Sequence, residues 1–501
     1  MEKINIEQDF GEFKKNYERN KTQIISVKLI NHKETITSAY LKVAENSKNS
    51  FLFESLEDGE EKGRFSIIGL NPDKILKLKD KTIIVEENDR ETIISEGNVN
   101  QKIRNFISEN TFEFSDKFPS VASGIFGYIG YDFVRNIEDL PNQNKDTLGL
   151  PDSILLRPSS IIVFDNKTKE ILLITFSRPA KGISAQESIK RGEKNLIYLY
   201  EKLENKEIIN NNRKKQKSLE EPKSNTTKKE YFDMVKKARE YIKAGDIFQV
   251  VPSQRFSAPF KISPFELYKS LREINPSPYM YYLNLIDFYI VGSSPETLVK
   301  KEKRKITIKP IAGTRLKIQG SNRELAEELL SDPKERAEHL MLLDLGRNDV
   351  GKVSKIGTVN VKNPFSIQET SNLLHIVSTV EGELKDKDDE ITSLSAGFPA
   401  GTVSGAPKIR AMEIIDELEK EKRGIYAGAV GYFSSNGDMD TAIALRTAII
   451  KDEIMYVQAG GGVVYDSNEE YEYNETVNKS QALFSAAKDA IKRNLNQWLF
   501  W

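Results

Sequence analysis

The feature that most constrains this chain is a repeated pattern of two apolar, β-prone runs divided by a short polar turn. AVGYFSS and MDTAIALRTAII flank Asn436-Gly437, and YMYYLNL and FYIVGSS flank Ile286-Asp287. SSIIVFDNKTKEILLITF (159–176) turns around Asp165-Asn166. Asn-Gly supplies the positive φ values of a tight hairpin turn, so these runs predict antiparallel neighbours. MDTAIALRTAII reads as one strand carrying Arg446. GIFGYIGYDFV (124–134) reads as a strand entering a turn or helix. TKKEYFDMVKKAREYIKAG (227–245) and NETVNKSQALFSAAKDAIKRNL (474–495) carry apolar residues at helical spacing. Strands that pair with their neighbours, with helices grouped beside them, predict an α+β fold with large antiparallel sheets.

Residues 201–230 are polar, rich in Asn and Lys, and read as a linker or mobile loop between an N-terminal region (1–200) and a C-terminal region (231–501). The RKKQK run within it reads as a solvated surface segment.

Composition removes several classes of chemistry. The 501 residues contain no cysteine, so disulfides, thiolate metal sites and cysteine nucleophiles are excluded. Three histidines, His32, His339 and His375, lack the spacing of a zinc helix. Lys+Arg (74) and Asp+Glu (75) cancel, which gives no field toward nucleic acid or anionic membrane. The opening MEKINIEQDF is charged and no apolar run nears about 20 residues, so a cytoplasmic location is expected. Catalysis must then rest on carboxylates, a hard metal, backbone amides or a histidine.

GRNDVGKVS (346–354) has the glycine and lysine spacing of a phosphate-binding loop, but Val353 replaces the required hydroxyl and a helix precedes it. In that helix Asp332 is the expected N-cap, Pro333 the first residue, and Glu335 the partner in a capping box. Glu338 has no such explanation. Glu475 and Lys479 have the i, i+4 spacing of a surface ion pair, yet two helices that each offer one carboxylate can hold a magnesium ion. Three glycine stretches, 312–314, 400–407 and 459–462, offer backbone amides, and the second runs into a helix near Ser404 and Pro407. With Arg446 they point to a substrate bearing more than one carboxylate.

GDIFQVVPSQRF (245–256), NPSPYMYYL (275–283), VGSSPETLV (291–299), PIAGTR (310–315), DPKERAEHLMLLDLGRNDVGKV (332–353), HIVSTVEG (375–382), FPAGTVSGAPK (398–408) and QAGGGVVYDS (458–467) together resemble the chorismate-utilising enzymes. The resemblance implies an antiparallel β-sandwich core flanked by helices. PIAGT is similar to the large subunits of anthranilate synthases, because aminodeoxychorismate synthases carry a lysine where Ala312 stands. Gln249 occupies the place of the lysine that activates water in isochorismate and salicylate synthases, which implies ammonia as nucleophile.

Carried onto this sequence, the resemblance implies Mg2+ on Glu338 and Glu475. It implies substrate contacts at Gly313, Thr314, Tyr426, Arg446, Gly460, Gly461, Gly462 and Lys479. Glu296 is the implied acid and His375 the implied base, with Gln249 and Thr402 among the catalytic positions. FLFESLEDGEEKGRFSIIGLNP (51–72) resembles the tryptophan-feedback segment, which implies Glu54, Ser55, Pro278, Tyr279 and Met280 as inhibitor contacts. Phe53, Pro252, Gly346 and Gly461 depart from the commonest family letters, and none is a reacting group. Without a cysteine the chain cannot hydrolyse glutamine as the family does. The expected partner is therefore a glutamine amidotransferase subunit, in a heterotetramer of two large and two small chains.

Overall fold

The computed structural model describes residues 6, 9–30, 32–44, 47–56, 63–87, 90–95, 97–112, 114–141, 144–205, 214–317, 322–369 and 373–499. The named strands pair antiparallel throughout, as the hairpin pattern predicts. Tyr279–Asn284 and Phe288–Ser294 form one predicted hairpin, with Ile286 at φ +63° in its turn. Ala429–Ser434 and Met439–Ile443 form another around Gly437, at φ +87°. Ser153–Asp165 and Glu170–Ser177 form the third.

Two long strands, Phe65–Lys79 and Ser153–Asp165, pair along most of their lengths and serve two sheets at once. A bulge between Pro72 and Lys74 shifts their register, and different strands pair with the two halves on either side of it. Asp73, inside the bulge, takes ion pairs from Arg157 at 2.6 Å and Arg178 at 2.9 Å.

From residues 65–70 one sheet runs outward through Ser50–Glu54, Tyr279–Asn284, Phe288–Ser294, Thr447–Lys451, Ile454–Gly460 and Ser253–Pro259. From residues 153–157 the other runs through Gly124–Ile129, Ala429–Ser434, Met439–Ile443, Thr297–Glu302, Lys305–Ile308 and Leu373–Glu383. Strands from 1–200 and from 231–501 therefore lie side by side in both sheets.

Helices cover the outer faces. Lys228–Ala244 starts on a Thr227–Glu230 capping box and stops at Gly245, at φ +84°. Pro264–Ile274 packs against the 31-residue helix Glu469–Leu499. Within 201–230, the helix Ala185–Glu204 ends at 204, Lys223–Ser224 pairs with Ser257 and Phe256, and residues 206–213 lie outside the described set.

One sequence expectation is corrected here. MDTAIALRTAII is not a single strand: Met439–Ile443 belongs to one sheet and Thr447–Lys451 to the other, with Arg446 at the break in a left-handed conformation (φ +46°). The apolar run gives no hint of the break, because both halves are buried. The chain makes the same crossing at 295–296, between Phe288–Ser294 and Thr297–Glu302. The two crossings are tied together: Ile443 N–H donates to Glu296 O at 3.0 Å and Ser293 N–H to Arg446 O at 3.1 Å. Among the described residues no helix is long and apolar enough to cross a membrane.

Candidate active site

The paired crossings place Glu296 and Arg446 at the same point between the sheets. Glu296 is buried, and its Oε1 accepts a hydrogen bond from Thr402 Oγ1 at 3.1 Å. Burial pushes its carboxyl up to about 8, while the Thr402 bond and the charge of Lys479 work in the opposite direction. At neutral pH it is a carboxylic acid with a proton to give.

Burial lowers the Arg446 guanidinium from its usual range, and among the described residues it has no ion-pair or hydrogen-bond partner. A mostly buried guanidinium left unmatched by protein carboxylates suits a ligand carboxylate. His375, on the strand Leu373–Glu383, is held at 3.1 Å from Gly313 O through Nδ1. A carbonyl only accepts, so Nδ1 carries the proton and Nε2 is the basic nitrogen. Burial, and to a lesser extent Arg446, lowers the histidine pKa and keeps the ring neutral.

Gly313 stands at φ +67°, and a Cβ there would come within 2.9 Å of Glu335 Oε2 and 3.1 Å of Leu329. Only glycine fits that turn of backbone. Ala312, beside it, is buried in the strand Ile311–Leu316. Thr314 lies in the same strand, and its side chain is outside the described set.

Carboxylates from two helices face each other across the cleft. Glu338 sits on Pro333–Val353, and Glu475 on Glu469–Leu499. Burial raises the Glu338 pKa, and the charges of Glu335 and Glu475 raise it further. Lys479 Nζ bridges Glu475 at 2.7 Å and Gly460 O at 3.0 Å. The predicted i, i+4 pair is real, but it lines the cleft.

Gly460 and Gly462 lie close against side chains of the site. A Cβ on the first would lie 2.8 Å from Tyr426 Oη, and on the second 2.7 Å from Gln249 Nε2. Tyr426 is buried, which raises its hydroxyl pKa, and the Gly460 amide is its backbone hydrogen-bond partner. Gln249 Oε1 is buried, and among the described residues it has no hydrogen-bond partner.

Two acidic residues join the site that the sequence reading had not placed there. Glu335 does not close a capping box. Asp332 caps the helix through the Lys334 and Glu335 amides at 2.9 and 3.3 Å, and the Glu335 carboxylate pairs with Arg315 at 2.8 Å. Glu472 is buried, and its Oε1 takes a bond from Ser467 Oγ at 2.7 Å. Burial first, then the neighbouring Glu475, raises its pKa. The signal was present: Glu335/Glu338 and Glu472/Glu475 repeat one i, i+3 spacing on two helices. Among the described residues no three Asp, Glu, His or Cys side chains are arranged to hold a metal ion unaided. A site with two carboxylates, completed by water and substrate, is the kind magnesium uses.

Gly346, Gly351 and Lys352 are all helical, so GRNDVGK forms no phosphate cradle, in keeping with Val353 and the helix that precedes it. The expected start of the helix Lys408–Leu418 is corrected: Pro407 is its N-cap without a side-chain bond, Ser404 Oγ donates to Ala400 O, and the buried Lys408 is matched by Asp349 at 2.7 Å.

A second cavity, of about 430 Å³, opens between the two sheets. Glu54, Ser55, Pro278, Tyr279 and Met280 all line it, with Phe53, Ile67, Val430 and Tyr432. The Glu54 carboxylate is taken up by Arg272 at 2.8 Å and by the Tyr268 hydroxyl.

Glu296 and Arg446 at the two crossings, with His375 on a nearby strand and Glu338 and Glu475 on two helices, form the candidate site of an enzyme. The chain belongs to the chorismate-binding enzyme family, whose model matches residues 48–485. It is 47% identical over 487 residues to anthranilate synthase component 1 of Cereibacter sphaeroides, covering 96% of this chain and 97% of that one. The same protein of Acetivibrio thermocellus is 44% identical, over 89% and 91%. Anthranilate synthase component I from Streptococcus pneumoniae superposes with a TM-score of 0.75 at 36% identity, covering 91% of this chain and 99% of that chain. The menaquinone-specific isochorismate synthase of Escherichia coli shares the fold, with a TM-score of 0.69 at 17% identity.

Proposed function

We propose that this chain is the large component of an anthranilate synthase, which converts chorismate and ammonia to anthranilate and pyruvate as the first step of tryptophan biosynthesis. The observation that carries the reading is the meeting of a protonated Glu296 and an unmatched Arg446 at the two sheet crossings. Arg446 and the Tyr426 hydroxyl hold the pyruvyl carboxylate, and the amides of 460–462 with Lys479 receive the ring carboxylate. Gly313 and Thr314 line the ring.

Glu296, positioned by Thr402, gives its proton to the departing ring hydroxyl as ammonia adds to the carbon beside the carboxylate-bearing one. Gln249 offers the incoming ammonia a buried, unmatched acceptor in Oε1. His375 Nε2 then takes the ring proton as pyruvate leaves and the ring becomes aromatic. Ala312 has no amine to form an adduct with the ring, which favours this reading over an aminodeoxychorismate synthase.

The crowded carboxylates of Glu338 and Glu475 fit Mg2+, with Glu335 and Glu472 beside them. When bound, the ion supplies positive charge against the substrate's ring carboxylate. The cavity of about 430 Å³ takes tryptophan as feedback inhibitor, its apolar wall matching an indole ring. The partner is a glutamine amidotransferase subunit in a heterotetramer of two large and two small chains, in the cytoplasm. The test is the nitrogen source. The isolated chain forms anthranilate with ammonium salt but not with glutamine until an amidotransferase subunit is added. Glutamine use by the isolated chain would contradict the proposal.

A further inference from the structure

Arg423 is 2% exposed and touches nothing proposed to react, yet three walls of the site converge on it. Its Nη1 donates to Val403 O at 2.7 Å and its Nη2 to Val251 O at 2.6 Å. Glu419, four residues earlier in sequence, receives Nε at 3.0 Å and Nη2 at 2.6 Å. The same carboxylate accepts from Ser253 N–H and Ser253 Oγ, both at 2.8 Å. The guanidinium carbon lies 4.8 Å from the centre of the Tyr131 ring and 5.4 Å from that of Tyr426, in cation–π contact with both.

These contacts have a common direction. Val251 follows Gln249 by two residues, and Val403 is the neighbour of Thr402. Tyr426 is touched directly. A planar fork with five donors can hold two carbonyls and a carboxylate at once, which a lysine ammonium cannot do with the same geometry. A buried ion pair of this kind is weak support for stability, because desolvation offsets much of its attraction. Its value lies in fixing positions.

We propose that Arg423, held by Glu419, is the positioning residue that sets Gln249, Thr402 and Tyr426 in register around the substrate. The proposal rests on the roles given to those three residues above. It predicts that loosening Arg423 frees Thr402 from Glu296. Because the Thr402 bond holds the Glu296 carboxyl down, its loss moves the alkaline limb of the pH–rate profile upward.

The test compares kcat–pH profiles, with ammonium salt as nitrogen source, for the full-length chain, Thr402→Val, Arg423→Lys and the double variant. Folding is checked by thermal denaturation. Arg423→Lys is expected to lower kcat at least tenfold and to shift the alkaline limb upward as Thr402→Val does. The double variant should shift it no further. If Thr402→Val moves the limb and Arg423→Lys leaves it in place, the proposal is overturned. If Thr402→Val itself leaves the limb unmoved, the assignment of Glu296 fails, and Arg423 is judged on chorismate KM. A tenfold rise in KM through a displaced Tyr426 sustains its role, and an unchanged KM overturns it. Should Arg423→Lys not fold, Glu419→Gln carries the same test, since it keeps acceptors for Ser253 but removes the charge that orients the guanidinium.

Discussion

Thr402 donates a hydrogen bond to the Glu296 carboxyl at 3.1 Å across 106 residues of sequence, and this bond steadies an acid buried between two sheets. Burial holds that acid at about 8, so it is protonated below this pH and ionised above it. The rate of anthranilate formation is therefore expected to fall as pH rises past about 8. Glu296→Gln should cost about 10²- to 10⁴-fold in kcat, the usual range for a lost general acid. A variant that keeps full activity would remove Glu296 from the mechanism.

The same shift has a consequence for stability. An ordinary glutamate releases its proton near 4.5, whereas the folded chain holds this one to about 8. Between those values the unfolded state binds fewer protons, so Glu296 costs the folded state stability as pH rises through that window. Glu296→Gln should raise Tm relative to the parent chain, by more at pH 8 than at pH 5. A Tm difference that does not grow with pH would mean that the carboxyl ionises normally.

Magnesium is expected to stabilise the chain by relieving repulsion among Glu335, Glu338 and Glu475. At a free concentration 100 times its Kd the gain is about 2.7 kcal/mol. Glu338→Gln and Glu475→Gln should each remove most of the Mg2+-dependent rise in Tm, and chelation should abolish anthranilate formation. An equal rise in both variants would place the ion elsewhere.

His375→Ala should slow aromatisation more than amination, so that an amino intermediate accumulates and is visible by chromatography. Equal loss of both steps, or of neither, would take the base role from His375.

Tyr279 lines the second cavity and also reaches the catalytic crossing, through Thr297 Oγ1 at 2.8 Å and Asp440 Oδ1 at 2.9 Å. Thr297 is the neighbour of Glu296. Tyr279→Phe is expected to raise the tryptophan concentration needed for half-inhibition by about tenfold, within the range of typical coupling energies. Unchanged inhibition would show that this hydroxyl carries none of the coupling.

The hairpins were legible in the sequence because a turn is local chemistry: Asn436-Gly437 needs only its own backbone to reverse the chain. The helix that carries Glu338 was legible for the same reason, through Asp332 and Pro333. Arg446 was misread. Its flanks are apolar on both sides, and the left-handed turn at an arginine is imposed by two sheets diverging, which no short window contains. Glu335 has a satisfactory local reading as a capping partner, and that reading hid its actual bond to Arg315. Arg423 carried no signal in the sequence, since its burial is decided by strands far away along the chain.

The central claim is that this site makes anthranilate from chorismate and ammonia. Its most direct test gives the purified chain chorismate, Mg2+ and ammonium salt and follows anthranilate fluorescence and pyruvate release together. Equal amounts of the two products, appearing in step and stopping when tryptophan is added, are the expected result. Chorismate consumed without anthranilate, yielding an amino or hydroxy product that retains its enol-pyruvyl group, would contradict it.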